Sequence, residues 1–150
     1  MLHKGAVRPA YIGVTDDDKA AGEARHKGFL KALADNDISL DKHNSVTAEF
    51  NIDSGYSCAK KIFSGREHPD CIFCATDNIA AGAILYCREN GIKIPEDVMI
   101  CGVGDSKIGA ITAVPLTSAG TAYHSCDERT HKSYVNAEYC RLCDAEKCGK

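Results

Sequence analysis

Four apolar runs rich in strand-forming residues alternate with helix-like segments along the first two-thirds of the chain. Strands that are apolar along their whole length and alternate with helices are typical of a parallel sheet that is covered on both faces. We therefore predict an open α/β fold with three layers, in which helices lie on both sides of one parallel sheet. The four predicted strands are AYIGV (10–14), SVTAEF (45–50), CIFCA (71–75) and VMICGV (98–103).

The segments between these runs have helical patterns. Residues 16–35 are acidic and rich in alanine, with apolar or small residues at helical spacing, and they predict the first helix. Asp53-Ser54 predicts the cap of a second helix, and Thr76-Asp77 predicts the cap of a third. In open parallel sheets, ligands bind at the carboxyl ends of the strands. The residues that follow each strand are therefore the candidates for function.

Length and charge limit the classes of protein to which the chain can belong. With 150 residues and 44% hydrophobic composition, the chain can form one domain with its own core. The net charge is −3 and the 18 Lys and Arg are scattered, so the chain lacks the basic surface of a nucleic-acid-binding protein. We find neither an apolar run of about 18 residues nor a signal peptide pattern, and we expect a cytoplasmic protein without a membrane partner.

Nine cysteines fall into two groups. Those of the first group lie inside apolar runs, where a free thiol behaves as a small buried hydrophobic side chain. Residues three apart on a strand point to opposite faces, so the CxxC pair Cys71 and Cys74 is not expected to bind one metal ion. The first group comprises Cys58, Cys71, Cys74, Cys87 and Cys101.

The second group of cysteines lies in a late segment, residues 124–150, that has little apolar periodicity. Closely spaced thiolates, with His124 and His131 nearby, could form a tetrahedral zinc site. The alternatives are a disordered tail or an altered reading frame, and we favour these over zinc. The candidate metal ligands are Cys126, Cys140, Cys143 and Cys148.

Several motifs together resemble the effector-binding core of the lac repressor family, of LacI/GalR type. They are YIGV, the RHKGFLKAL helix, DSGY, IFCATDNIAAGAI, GIKIPEDVMICGVGDS and PLTS, in the family's order and spacing from about residue 5 to Tyr123. The resemblance implies a periplasmic-binding-protein-like lobe, here residues 1–123. Two such lobes close on a small ligand, usually a sugar or a purine. It implies neither an enzyme nor a cofactor.

The resemblance also implies parts that this chain does not contain. MLHKG resembles the end of the helix that leads into the family's second lobe, so we expect a first lobe and a helix-turn-helix head to precede it. Operator DNA would be bound only through that head, by a homodimer. GVGDSK and RHKGFL are similar to sucrose and trehalose repressors. This similarity points to a sugar or a sugar phosphate as the effector.

The family's R-x-x-G-[FW] motif places Arg25 toward the ligand. Its planar guanidinium can bind vicinal hydroxyls or a phosphate, whereas the alternative is a surface ion pair. His26 and Lys27 follow directly, but successive helix positions are about 100° apart, so the three side chains cannot all face one ligand. Phe50 aligns with an aromatic residue that stacks on a sugar, and its alternative is core packing.

Further effector-binding residues follow from the same resemblance. Thr76 and Asp77 lie in the ligand-proximal turn, where their polar groups can bind sugar hydroxyls, while the alternative is helix capping. The family usually has an acidic residue at Gly104, and Asp105 is a possible substitute. Tyr123 lies where the family places an aromatic residue near the site.

Two other functions remain as alternatives. A free-standing sugar-binding protein would share the architecture. A magnesium-dependent phosphoryl-transfer domain would use the carboxylates of Asp16, Asp17 and Asp18 after the first strand. The sequence that follows the third strand matches the repressor pattern instead, and fold alone does not establish a reaction.

Overall fold

The computed structural model of the chain describes residues 1–108 and 116–120. In this part of the chain, five strands form a single sheet in the order β2-β1-β3-β4-β5, and each adjacent pair is parallel. The predicted open parallel sheet is thus confirmed. The strands are β1 (Pro9–Gly13), β2 (Ser45–Thr47), β3 (Cys71–Cys74), β4 (Met99–Val103) and β5 (Thr117–Ala119).

The helices connect the strands as parallel crossovers. The first is α1 (Arg25–Ala34), which directly follows a π-helical turn at Lys19–Ala24. The others are α2 (Ile52–Phe63) and α3 (Asp77–Glu89). Short 3-10 turns at Leu2–Lys4 and Lys42–Asn44 precede β1 and β2.

Each face of the sheet packs against its own helices. Because side chains alternate along a strand, neighbouring residues of β1 enter different layers. Ile12 belongs to the larger core, which includes Ile62 of α2 and Ile79 of α3. Tyr11 packs on the opposite face against Phe29 of α1. The sheet is therefore covered on both sides, as the continuously apolar strands predict.

Two local predictions need correction. The second strand ends at Thr47 rather than Phe50. The last backbone hydrogen bond of this run to β1 is donated by the N–H of Ala48 to the carbonyl of Gly13. The second helix is capped by Asn51, whose side chain accepts from the N–H of Ser54 at 2.8 Å, and not by Asp53-Ser54. The third cap is as predicted, with the Thr76 hydroxyl accepting from the N–H of Ile79.

The five cysteines of the first group are free thiols, and four of them are buried. Burial raises the pKa of Cys71 and of Cys87 to about 12, so these thiols stay protonated and unreactive at neutral pH. The prediction of structural, unpaired thiols is confirmed for this group. Within the described residues, no helix is long and apolar enough to cross a membrane.

Candidate functional site

The order of the strands places a switch point between β1 and β3. The chain leaves β1 for β2 on one side, and then crosses to β3 on the other side. Where the direction of crossing reverses, the loops at the carboxyl ends diverge and leave a crevice that commonly holds a ligand. The carboxyl edge of this sheet consists of the residues that follow the strands, at 14–18, 48–51, 75–77 and 104–107.

Arg25 lies at this switch point. The carboxylate of Asp18 caps the preceding π-helical turn and accepts hydrogen bonds from the N–H groups of Ala20 and Ala21 at 3.0 and 2.7 Å. These backbone bonds, with a contribution from the Arg25 charge, lower the pKa of Asp18. Arg25 is partly buried, and its guanidinium donates to the carbonyl of Ala75 at the end of β3.

The next two side chains turn away from Arg25. The ring of His26 stacks on Tyr11 with 4.8 Å between centroids, and its Nδ1 lies 3.4 Å from a carboxylate oxygen of Asp16. Lys27 pairs with Glu23 on the exposed side of the helix at 2.5 Å. The three side chains thus have different partners, as their helical spacing predicts, and Arg25 is the one that donates to the end of β3.

Phe50 follows β2 at the outer edge of the sheet. Its side chain is 48% exposed, so it is not part of the core. It borders an open depression of about 820 Å³ between the ends of β1 and β2. A concave surface with an aromatic side chain and several polar groups is typical of small-molecule sites. The polar residues that line it include Thr15, Thr47, Glu49, Asn51 and Ser54.

Asp77 has a different environment. It is only 2% exposed, and its carboxylate accepts hydrogen bonds from the N–H of Ser106 at 2.6 Å and from the hydroxyl of Ser118 at 2.7 Å. The carboxylate thus joins the start of α3 to the residues that follow β4 and to β5. Thr76 caps α3 beside it. Direct binding of the effector by Thr76 and Asp77 stays a prediction.

The turn after β4 contains Gly104 where the family usually has an acidic residue, and its backbone conformation explains this difference. Gly104 has φ of +132°, a conformation that favours glycine over an acidic residue. Asp105 is exposed, and its N–H donates to the hydroxyl of Ser118 at 2.8 Å. Its carboxylate faces no hydrogen-bond donor among the described residues. Direct binding of the effector by Asp105 stays a prediction.

Several predicted residues lie outside the described part of the chain. They are Tyr123 of the predicted site, and the candidate metal ligands Cys126, Cys140, Cys143 and Cys148 with His124 and His131.

The three carboxylates after β1 are engaged in separate local contacts. Asp18 caps the π-helical turn, Asp16 lies next to His26, and Asp17 accepts from the hydroxyl of Thr15 at 3.2 Å. Among the described residues, no group of three or more His, Cys, Asp or Glu side chains is arranged to hold a metal ion. This arrangement does not favour the magnesium-dependent alternative.

Sequence reasoning missed two features of this edge. Ser106 and Ser118 hold Asp77 from 29 and 41 residues away, a relation that no local motif reveals. The ring of Tyr11 lies over Gly13, where any side chain would collide with it. The signal for this contact was the Tyr-x-Gly spacing at the end of the first strand.

An open parallel sheet with polar side chains at its switch point defines a ligand-binding lobe of periplasmic-binding-protein type. The family model described as a periplasmic binding protein-like domain matches residues 1–126. The chain belongs to this family, as an effector-binding core of LacI/GalR type.

Similar proteins are transcriptional regulators. The HTH-type transcriptional repressor PurR of Erwinia tasmaniensis is 32% identical over 119 residues, which are 79% of this chain and 34% of that protein. A LacI family transcription regulator from Clostridium acetobutylicum is 28% identical, with a TM-score of 0.74 over 79% of this chain and 44% of the other. The regulator CelR, solved as a cellobiose complex, has the same identity and TM-score over 78% of this chain and 36% of its own.

The chain spans about a third of the length of the curated relatives that it matches.

Proposed function

We propose that this chain is the effector-sensing lobe of a transcriptional regulator that responds to a sugar or a sugar phosphate. The observation that carries the proposal is the presence at one sheet edge of the Arg25 guanidinium and of the half-exposed Phe50. The fork of an arginine can donate to two neighbouring oxygens of a sugar or a phosphate. An aromatic ring can pack against the apolar face of a sugar.

The depression beside Phe50 supports the same ligand class. Its polar lining consists of hydroxyl, amide and carboxylate groups, which are the groups that bind sugar hydroxyls. The side chains of Asn51 and Glu49 are preorganised. Asn51 donates to a carboxylate oxygen of Glu49 at 3.1 Å, and it also caps α2. The cellobiose bound to CelR is consistent with a sugar as effector.

The regulatory role rests on the relatives, which are repressors of the LacI family. In the parent protein, a second lobe would supply the opposite wall of the effector site. A helix-turn-helix head would bind operator DNA as a homodimer in the cytoplasm. The effector would then change DNA affinity by favouring one arrangement of the lobes, which is an allosteric coupling between two sites.

The test is a titration of the ¹⁵N-labelled 150-residue chain, followed by amide NMR shifts. The probes are cellobiose, sucrose, trehalose, trehalose 6-phosphate and the purine hypoxanthine. A lobe that has lost about 4 kcal/mol of contacts binds a micromolar ligand at about millimolar concentration, so the titration extends into the millimolar range. The variants are Arg25→Ala and Phe50→Ala. Arg66→Ala is the matched control, because it removes an arginine from the opposite edge of the sheet, where the strands begin, which we call the amino edge.

We expect at least one sugar to shift amides at the carboxyl edge. Loss of the Arg25 hydrogen bonds should weaken its binding by about 10- to 100-fold, which is the range for bonds to a charged donor. Arg66→Ala should bind as the unchanged chain does. Equal affinities in Arg25→Ala and in the unchanged chain would contradict the proposed site. A response to hypoxanthine alone would replace the sugar with a purine.

A further inference from the structure

Tyr11 extends along β1 toward the carboxyl edge. Its ring lies over Gly13, and the Tyr11 hydroxyl oxygen is 2.9 Å from the position that a Cβ of Gly13 would occupy. The ring also stacks on His26, Phe29 and Phe73, with centroid distances of 4.8, 5.1 and 6.0 Å. The stack fixes the direction of the side chain, so the hydroxyl is held at the switch-point end of β1.

This hydroxyl is buried without a partner. Tyr11 is 3% exposed, and its hydroxyl oxygen makes no hydrogen bond to any residue that the structure describes. An unpaired buried hydroxyl is unfavourable, and the hydroxyls of buried tyrosines usually find a partner. The partner is therefore a polar atom that comes from outside the described chain.

The surroundings define the chemistry of that partner. Burial and, to a smaller extent, the negative charge of Asp16 raise the pKa of Tyr11 to about 12, against the opposing effect of Arg25. The phenol thus keeps its proton at neutral pH and can donate it to an acceptor. The charge of Asp16 is the larger of the two charge effects on the hydroxyl and disfavours an anionic acceptor there, against the smaller opposing effect of Arg25.

His26 covers one face of the Tyr11 ring. The ring of His26 lies on Tyr11, yet the His26 side chain is 30% exposed. His26 lies in the first turn of α1, directly after the π-helical turn at Lys19–Ala24. Turns of π type are frequent at functional sites. The charge of Arg25 acts on the Tyr11 hydroxyl, so the two groups lie near one another at this edge.

We propose that the Tyr11 hydroxyl is a specificity-determining group of the effector site, where it donates a hydrogen bond to an uncharged oxygen of the ligand, such as a sugar hydroxyl. The inference rests on the proposed function and deepens it, because it favours a neutral sugar over a sugar phosphate. A water molecule offers the same acceptor chemistry, and the experiment distinguishes the two sources.

The experiment compares Tyr11→Phe with the unchanged 150-residue chain. Tyr86→Phe is the matched control, because it removes a phenol hydroxyl from a ring that packs against Phe63 and Tyr56, within the α2 and α3 layer. Each chain is titrated with sucrose, trehalose, cellobiose and trehalose 6-phosphate by amide NMR shifts. Thermal unfolding without ligand is measured in parallel. Arg25→Ala is included as the reference for the site as a whole.

We expect Tyr11→Phe to weaken the binding of the neutral sugar that responds by about 3- to 10-fold, the value of one neutral hydrogen bond. Its unfolding midpoint without ligand should be unchanged or higher, because the variant removes an unpaired hydroxyl. Tyr86→Phe should bind as the unchanged chain does. Trehalose 6-phosphate should bind more weakly than trehalose.

Three outcomes would overturn the inference. If Arg25→Ala loses binding while Tyr11→Phe binds normally, the hydroxyl serves a water or nothing, and the proposed function still stands. A lower unfolding midpoint of Tyr11→Phe without ligand would show that the hydroxyl is paired inside the fold. If none of the sugars shifts any amide of the unchanged chain, the proposed function fails, and the inference fails with it.

Discussion

Phe50 and Asp77 are each the third residue beyond a strand, at the same edge of the same sheet, but their environments differ. Asp77 follows the interior strand β3, and residues that follow β4 and belong to β5 cover it and donate to its carboxylate. Phe50 follows β2, which is an edge strand, so no strand of the described residues lies beyond it, and it is 48% exposed.

Position relative to the sheet therefore decides whether a strand-end residue is tied into the fold or left exposed. The half of the carboxyl edge at β3 to β5 is held closed by hydrogen bonds within the chain. The half at β1 and β2 is left open, with polar groups around a depression of about 820 Å³. We infer that the first half supports the site and that the second half binds the effector.

The largest expected effect is that of Asp77→Ala. Removal of the carboxylate leaves the Ser106 N–H and the Ser118 hydroxyl without their acceptor, which should lower the free energy of unfolding by about 3 kcal/mol. Urea unfolding followed by circular dichroism measures the loss. Thr76→Ala is the control, and loss of its cap should cost about 1 kcal/mol. A loss for Asp77→Ala no larger than that of the control would show that the Asp77 carboxylate does not hold this half of the edge closed.

A smaller loss is expected from Gly102→Ala. The added methyl group would collide with a carboxylate oxygen of Asp77, and overpacking of this kind should cost about 2 kcal/mol. Gly28→Ala is the matched control on α1, since no atom outside its own stretch of helix lies within 4 Å of its added methyl group. That control should gain about 0.5–1 kcal/mol from helix propensity. Loss of stability in both variants would show that contact with Asp77 is not the cause.

The smallest effect on stability is expected from Phe50→Ala. A half-exposed side chain outside the core should change the free energy of unfolding by at most about 0.5 kcal/mol, while the response to the sugar is lost. The same urea experiment, with the sugar titration beside it, measures both quantities. Leu85→Ala, which removes another exposed apolar side chain, is the control. A loss of stability similar to that of Asp77→Ala would place Phe50 in the fold rather than in the site.

The sequence predicts the part of the fold that local patterns encode. The apolar runs that became β1, β3 and β4 were visible because they are buried on both faces. β5 was not predicted, since Thr117–Ala119 is short and lacks an apolar run, and only its pairing with β4 makes it a strand. The cap at Asn51 was missed because both Asn51 and Asp53-Ser54 fit the capping preference, and the end of β2 decides between them.

The candidate site, like the fold, was predictable only where local motifs encode it. Arg25 and Phe50 were reached through the resemblance, and the helical spacing of Arg25, His26 and Lys27 was enough to separate their directions. The partners of Asp77 depend on contacts between distant loops, which one sequence does not reveal. The burial of the Tyr11 hydroxyl depends on a four-ring stack that joins β1, β3 and α1.

The most direct test of the account is a map of the amide shifts that cellobiose and trehalose cause in the unchanged chain. The amino edge has its own depression, lined by Arg8, His43 and Arg66 among others, and it serves as an internal comparison. We predict that the largest shifts fall at residues 14–18 and 48–51 of the open half, with smaller shifts at 75–77. Shifts centred on the amino edge, or no shifts with either sugar, would contradict the claim that the effector binds at the carboxyl edge.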